Sequence, residues 1–272
     1  MKKGFWSNFI LVLLFLAGLS LLLYPSFSDY WNSMHQSQAI SVYADQVATL
    51  EKEDYRHILE AAEQYNRDLL LRENQYTLTE EQKKIYPELL DLGGNGVMGY
   101  IEIPDIKCSL PIYHGVDEAV LQVAIGHIEW TSLPTGGEST HCVLSGHRGL
   151  PSAKLFSELD KLKEGDLFML RVLDELFTYE VDRILIVEPD QVDALLVEEG
   201  KSLCTLVTCT PYGVNTQRML VRGHRVENPK QALQVRITAD AIQVDPMVVA
   251  PIVALPLLAL ILPVLMGGKK KR

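Results

Sequence analysis

The sequence predicts a mostly β domain, a closed barrel or sandwich of short strands with short helices between them. A helical stalk precedes it, and two transmembrane helices flank the whole. Three observations predict this arrangement. Two apolar runs, residues 5–24 and 247–266, contain no charged residue. Residues 31–71 repeat apolar positions at helical spacing. Beyond a glycine-rich break at 93–96, short β-branched or apolar runs alternate with turn residues, the texture of a barrel or sandwich.

Each apolar run matches the ~20 residues a helix needs to cross a bilayer. The first follows Lys2 and Lys3. It is longer than the apolar core of a signal peptide, and residues 24–30 offer no Ala-x-Ala-like cleavage site, so residues 1–25 are read as an uncleaved anchor. The second contains Pro251, Pro256 and Pro263, which a membrane helix tolerates better than a soluble one. Lys269, Lys270, Lys271 and Arg272 follow it, so 247–272 is read as a second span with a basic cytoplasmic tail. Basic flanks stay inside. Both termini are therefore expected in the cytoplasm, with the middle extracytoplasmic.

The chain carries 25 basic and 35 acidic residues. With the six terminal cations set aside, 19 basic residues face 35 acidic ones, a net of −16. So acidic a surface repels phosphate backbones, which argues against nucleic-acid binding. The four cysteines, at 108, 142, 204 and 209, form no CxxC pair, and no HExxH occurs, so no metal site is expected. Cys108, Cys142 and Cys204 lie in apolar, strand-like sequence, where cysteine serves as a small hydrophobe. A Cys142–Cys204 disulfide is compatible with an extracytoplasmic location.

In residues 26–95, Ile40, Tyr43, Val47 and Leu50 step along one helical face, and Ala62, Tyr65 and Leu69 resume it. The charges between them suggest a mostly solvated stalk. Residues 72–95 are polar and irregular, with little apolar surface to hold them over a cleft. Strands are expected at 99–103, 109–113, 141–145, 167–172, 178–187, 203–209 and 217–226, within a domain spanning 96–228. Short helices are expected near 116–123, 153–162 and 190–197, and a linker at 229–246.

Chemistry concentrates at one strand end. Apolar and hydroxyl residues alternate up to Cys209, after which Pro211 and Gly213 force a turn. A cysteine there is rigidly held and exposed, although cysteine is among the most buried residue types. If the next strand returns antiparallel, Arg218 comes back beside Cys209. A guanidinium near a thiol favours the thiolate and can donate to an oxyanion. Such a nucleophile also needs a proton donor for its leaving group. His114, His147 and His224 each follow or end a strand and adjoin glycine, and local pattern does not choose among them.

Two longer motifs do choose. Leu144-Ser145-Gly146-His147-Arg148-Gly149-Leu150-Pro151-Ser152-Ala153-Lys154-Leu155-Phe156 resembles the histidine signature of class C, pilus-building sortases. Residues 205–213, continuing through Arg218 to Gly223, are similar to the cysteine–arginine signature of that family. The resemblance covers essentially all of 96–226. It implies a sortase-type β-barrel of about eight strands with Cys209, His147 and Arg218 at one face, and structural parts for His114 and His224. It also implies a membrane-bound cysteine transpeptidase that cleaves the Thr-Gly bond of Leu-Pro-x-Thr-Gly sorting signals (LPXTG) through a thioester. The acyl group would pass to a lysine amine of a pilin or, alternatively, to a peptidoglycan-precursor amine. No cofactor is required. A non-catalytic tethered scaffold is disfavoured by the intact motifs.

The sequence departs from the family at one point. Pilus sortases commonly carry an Asp-Pro-aromatic lid motif ahead of the barrel, whereas the only Asp-Pro here is Asp245-Pro246. The resting enzyme is thus expected to leave Cys209 openly accessible. Leu133-Pro134-Thr135-Gly136 lacks one residue of a sorting signal and reads as a turn.

Overall fold

The computed structural model describes residues 2–72 and 74–229. The expected linker and C-terminal span lie outside the described residues, except for Pro229. The chain divides into two compact units. Among the described residues the first holds 2–33 and 151–153, and the second holds 34–150 and 154–229.

The first helix, α1 (Lys2–Thr49), belongs to the first unit up to Ser33 and to the second from Met34. Its N-terminal portion contributes the one helical segment among the described residues long and apolar enough to cross a membrane, on length and composition. Large side chains there, such as Leu21 and Leu22, stand exposed.

From Met34 onward the chain is not a solvated stalk, contrary to expectation. In α1, Ile40, Tyr43 and Val47 pack with Val97 and Tyr100 of the first strand. The Tyr43 hydroxyl donates to the Met98 carbonyl (3.0 Å) and accepts from the Leu173 amide (2.8 Å). Burying a side chain of this size contributes ~1.5–3 kcal/mol, and the two hydrogen bonds satisfy its polar end. The helix α2 (Lys52–Leu70) begins after the extended residue Glu51, with Glu53 and Asp54 in its first turn, where the helix dipole favours acidic side chains. It buries Ala62, Tyr65, Asn66 and Leu69. Asn66 takes the place of a missing backbone partner. It accepts from the Leu133 amide (2.7 Å) and donates to the Leu133 carbonyl (3.0 Å).

The segment after α2 is also better held than its polarity predicts. The helix α3 (Glu80–Ile85) opens on a reciprocal Thr79–Gln82 capping box. Leu78, Tyr86 and Leu90 are buried. Tyr76 stacks edge-on against Trp130, and its hydroxyl donates to Asp193 (2.9 Å). The Asp91 carboxylate then gathers the amides of Gly93, Asn95 and Gly96 into a turn that delivers the chain to the sheet.

Eight strands close into a barrel: β1 (Val97–Ile103), β2 (Cys108–His114), β3 (Ile125–His127), β4 (Thr140–Ser145), β5 (Leu167–Val172), β6 (Glu175–Val187), β7 (Ser202–Thr210) and β8 (Gln217–Val226). Their order around it is β1-β2-β3-β4-β7-β8-β6-β5, with β5 returning to β1. The β2–β3 and β4–β7 pairs are parallel, and the others are antiparallel. Closure leaves no sheet edge to protect. Seven strands fall where the sequence placed them; β3 was not expected.

Of the expected short helices, 116–123 contains α4 (Glu118–Leu121). Region 153–162 has only a 3₁₀ turn at Leu159–Lys161, because Leu155 takes a left-handed backbone (φ 38°) incompatible with a helix. Region 190–197 likewise has only a 3₁₀ turn, Asp193–Leu195.

Candidate active site

The strand order β4-β7-β8 brings the three candidate residues to one end of the barrel. On β7 and β8, Cys209 lies directly opposite Arg218 in antiparallel register. Opposed residues on a sheet share a face, so the expected pairing is present. On the other flank of β7, parallel β4 ends with Ser145 level with Val207. His147 lies two residues past Ser145, as Cys209 lies two past Val207. The chain there stays tied to β7, for the Gly146 amide donates to the Val207 carbonyl (3.0 Å) and the Thr208 hydroxyl donates to the Gly146 carbonyl (2.8 Å). Cys209 thus has a histidine-bearing segment on one side and an arginine on the other. All three residues are half-buried.

Local sequence explains why each is held there. A Cβ on Gly146 would meet the Phe156 ring at 2.7 Å and Ile125 at 2.9 Å, so only glycine lets the chain pass so close before His147. The Phe156 amide returns a hydrogen bond to the His147 carbonyl (3.2 Å). The His147 ring places Nε2 3.9 Å from an oxygen of the exposed Glu118, on α4. The next residue, Arg148, contacts Asp160 (2.5 Å) and Thr210 (3.3 Å) and lies over the Tyr212 ring at 5.8 Å. At Arg218, Nη1 donates to the carbonyls of Asn215 (3.3 Å) and Gln217 (3.1 Å), fixing the guanidinium at the β7–β8 turn. Neither Glu118 nor Arg148 was singled out from sequence. Position next to His147 was the available signal for Arg148, whereas Glu118 arrives only through the pairing of β3 with β4.

The other cysteines are buried, and three of the other histidines have both ring nitrogens engaged. Cys108, Cys142 and Cys204 are buried free thiols. Cys142 and Cys204 are level on the parallel strands, unbridged. Burial pushes the Cys108 thiol up to about 12 and that of Cys204 well above its ordinary range. His114 is held between the carbonyls of Gly96 (3.0 Å) and Leu89 (2.7 Å), and burial lowers its pKa. His141 bridges Leu196 O and Thr205 Oγ1, and is likewise lowered by burial. Fully buried His127 contacts the Tyr86 hydroxyl and the Ser132 carbonyl. His224 is exposed on β8. No group of three or more His, Cys, Asp or Glu side chains able to hold a metal occurs among the described residues.

Next to Cys209 the barrel wall carries a buried apolar cluster. Val207 and Leu220 oppose one another one step down the Cys209–Arg218 face. They pack with Val143 and Leu195, and with the partly buried Val187 and Val192.

An eight-stranded closed barrel with Cys209 and Arg218 opposed on β7 and β8, and His147 just beyond the end of β4, has the sortase-type fold. Residues 101–226 match the sortase domain family model. The chain is 50% identical to sortase C1 from Streptococcus agalactiae, with a TM-score of 0.69 over 71% of this chain and 100% of that one. It is 39% identical to Streptococcus pneumoniae sortase C, with a TM-score of 0.64 over 70% of this chain and 97% of that one. To sortase D of Bacillus subtilis (strain 168) it is 33% identical over 131 residues, 47% of this chain. That match spans 63% of the length of that curated relative. This chain belongs to the sortase family, whose members are cysteine transpeptidases, and the solved structures just described are sortase C enzymes.

Proposed function

We propose that this protein is a membrane-anchored transpeptidase that joins pilin subunits, with Cys209 as nucleophile, His147 as acid and base, and Arg218 as oxyanion stabiliser. The observation that carries the proposal is the order of these residues at the ends of β4, β7 and β8, on a chain 50% identical to a solved sortase C1 over 71% of its length. The S. pneumoniae neighbour is described in terms of pilin substrate specificity, which supports a pilin substrate here.

The mechanism follows from the placement. The Cys209 thiolate attacks the Thr carbonyl carbon of a Leu-Pro-x-Thr-Gly signal, and the C=O electron pair moves onto oxygen. Arg218 donates to that oxyanion from across the strand pair. Its Nη1 is held by the turn carbonyls, so the donor is in place before charge develops, and preorganisation makes such a donor effective. Protonated His147 gives its proton to the glycine nitrogen as the C–N bond breaks, leaving a thioester on Cys209. A lysine amine then attacks the thioester carbonyl and passes a proton to His147. The thiolate leaves, and an isopeptide bond remains.

The apolar part of α1 serves in this proposal as the anchor, with the barrel outside the cell. The 247–266 run, on composition, makes a second span with both ends inside. Protease added to protoplasts is expected to digest the 31–240 region while a C-terminal tag survives; loss of the tag overturns the two-span topology.

The activity is tested by incubating the protein with a Leu-Pro-x-Thr-Gly peptide and measuring intact mass. An acyl adduct on Cys209 that transfers to a lysine-bearing pilin is the expected result. Absence of the adduct overturns the enzyme assignment. Transfer to a peptidoglycan-precursor amine in preference to pilin lysine indicates wall anchoring instead.

A further inference from the structure

We infer that Arg148 is a positioning residue: its guanidinium latches the segment carrying His147 onto the turn that follows Cys209. The inference rests on the proposed roles of His147 and Cys209.

Four contacts support it. Arg148 Nη1 donates to the hydroxyl of Thr210, the residue after Cys209, at 3.3 Å. Arg148 Nη2 donates to Asp160 at 2.5 Å. The guanidinium carbon lies 5.8 Å from the centroid of Tyr212, on the β7–β8 turn. The same ring closes on the neighbouring Gly149, where a Cβ would sit 3.0 Å from it. The histidine segment and the turn beside Cys209 are therefore joined at two consecutive residues, immediately after His147.

The arrangement is costly as a fold element. The Arg148 side chain is only 9% exposed, and its buried Nε has no hydrogen-bond partner. A buried guanidinium with an unsatisfied donor adds little or nothing to stability. What it does supply is geometry. A planar fork can meet Asp160 and Thr210 while its flat face meets an aromatic ring, which a lysine ammonium cannot reproduce. A proton donor must sit within hydrogen-bond reach of the leaving nitrogen, and a displacement of about 1 Å can cost on the order of 10²-fold in rate. Arg148 fixes that distance by tying the acid's segment to the nucleophile's turn.

The test compares two acyl donors with the full-length protein: a Leu-Pro-x-Thr-Gly peptide, whose amine leaving group needs a proton, and an activated ester of the same acyl sequence, whose leaving group needs none. For R148A we expect kcat on the peptide to fall about ten- to hundredfold, with KM within about twofold and acylation by the ester within about twofold of wild type. R148K should recover a minor part of the loss. T210V keeps Arg148 and Asp160 but removes one contact, and should show the same selective loss at a few-fold level, which keeps the test valid if R148A folds poorly. Equal losses on both donors, or R148A turning over the peptide at the wild-type rate, overturn the inference. Wild-type protein that is acylated by neither donor overturns the proposed function instead.

Discussion

The barrel interior and its β4–β7–β8 rim use the same residue types to opposite ends. Inside, Cys204 is fully buried and its thiol is pushed upward by burial; at the rim, Cys209 is half-buried beside an arginine. Inside, His127 and His141 have both ring nitrogens engaged; at the rim, His147 Nε2 lies 3.9 Å from a carboxylate oxygen. Arg222 is tied to Asp182 and Glu198, whereas Arg218 rests on two turn carbonyls. On the proposed assignment, reactivity depends on what surrounds a side chain rather than on what it is. A group already satisfied in the ground state has nothing left to offer a transition state.

The largest effect should separate the two cysteines. C209A is expected to abolish the acyl adduct, while C204A keeps it and loses only ~1 kcal/mol of stability, as is usual for a small core truncation. H147A should nearly eliminate peptide turnover. A Cys209→Ala protein still acylated on another thiol would erase the contrast. Next comes the arginine pair. R218A should slow turnover by roughly 10²–10³-fold, the cost of one oxyanion donor, and R218K should recover little, since the ammonium lacks the planar fork. A steady-state assay showing R218A within tenfold of wild type would remove Arg218 from the chemistry.

Two smaller effects sharpen the interior side. Y43F leaves the buried Leu173 amide without its acceptor and the Met98 carbonyl without its donor. Denaturant melts should show a loss of ~1–3 kcal/mol with kcat unchanged; an unchanged midpoint would mean that α1 is merely laid on the barrel. The smallest effect is a pH dependence. Burial sets the folded pKa of His141 and His114 below the ordinary 6.5. Below that value the unfolded chain takes up protons the folded one refuses, so stability is present above about 6.5 and falls as pH drops through it. Thermal melts should show a lower Tm at pH 5.5 than at 7.5, with a smaller drop in H141Q. An identical drop in H141Q would assign the dependence to other groups.

Much of this was legible in the chain. Strands with clear alternation and turn residues were placed correctly, as was the Cys209–Arg218 pairing, because a hairpin is a local structure. β3 was not, since Ile125-Gly126-His127 is too short to show a period. Residues 31–71 were read as helical, but their burial was missed. Tyr43 and Tyr65 were placed on one helical face, but the charges between them suggested a solvated stalk; their partners, and those of Asn66, lie far along the chain. Residues 72–92 misled for the same reason, their few apolar side chains being the ones that pack. His147 could not be chosen by local pattern because its neighbour is β7, far along the sequence, in a parallel pairing that only tertiary structure reveals. The family signature carried that information.

That parallel pairing has an evolutionary consequence. Two strands running the same way cannot be joined by a tight turn, so the chain that leaves β4 must travel back along the barrel before it enters β7. Its last stretch, after β6, carries Val192, Ala194 and Leu195 onto the outer wall beside Val207 and Leu220. A connection of that length tolerates insertions at small entropic cost, which a tight turn does not. The register that sets β7 beside β4 can thus persist while the connection between them varies.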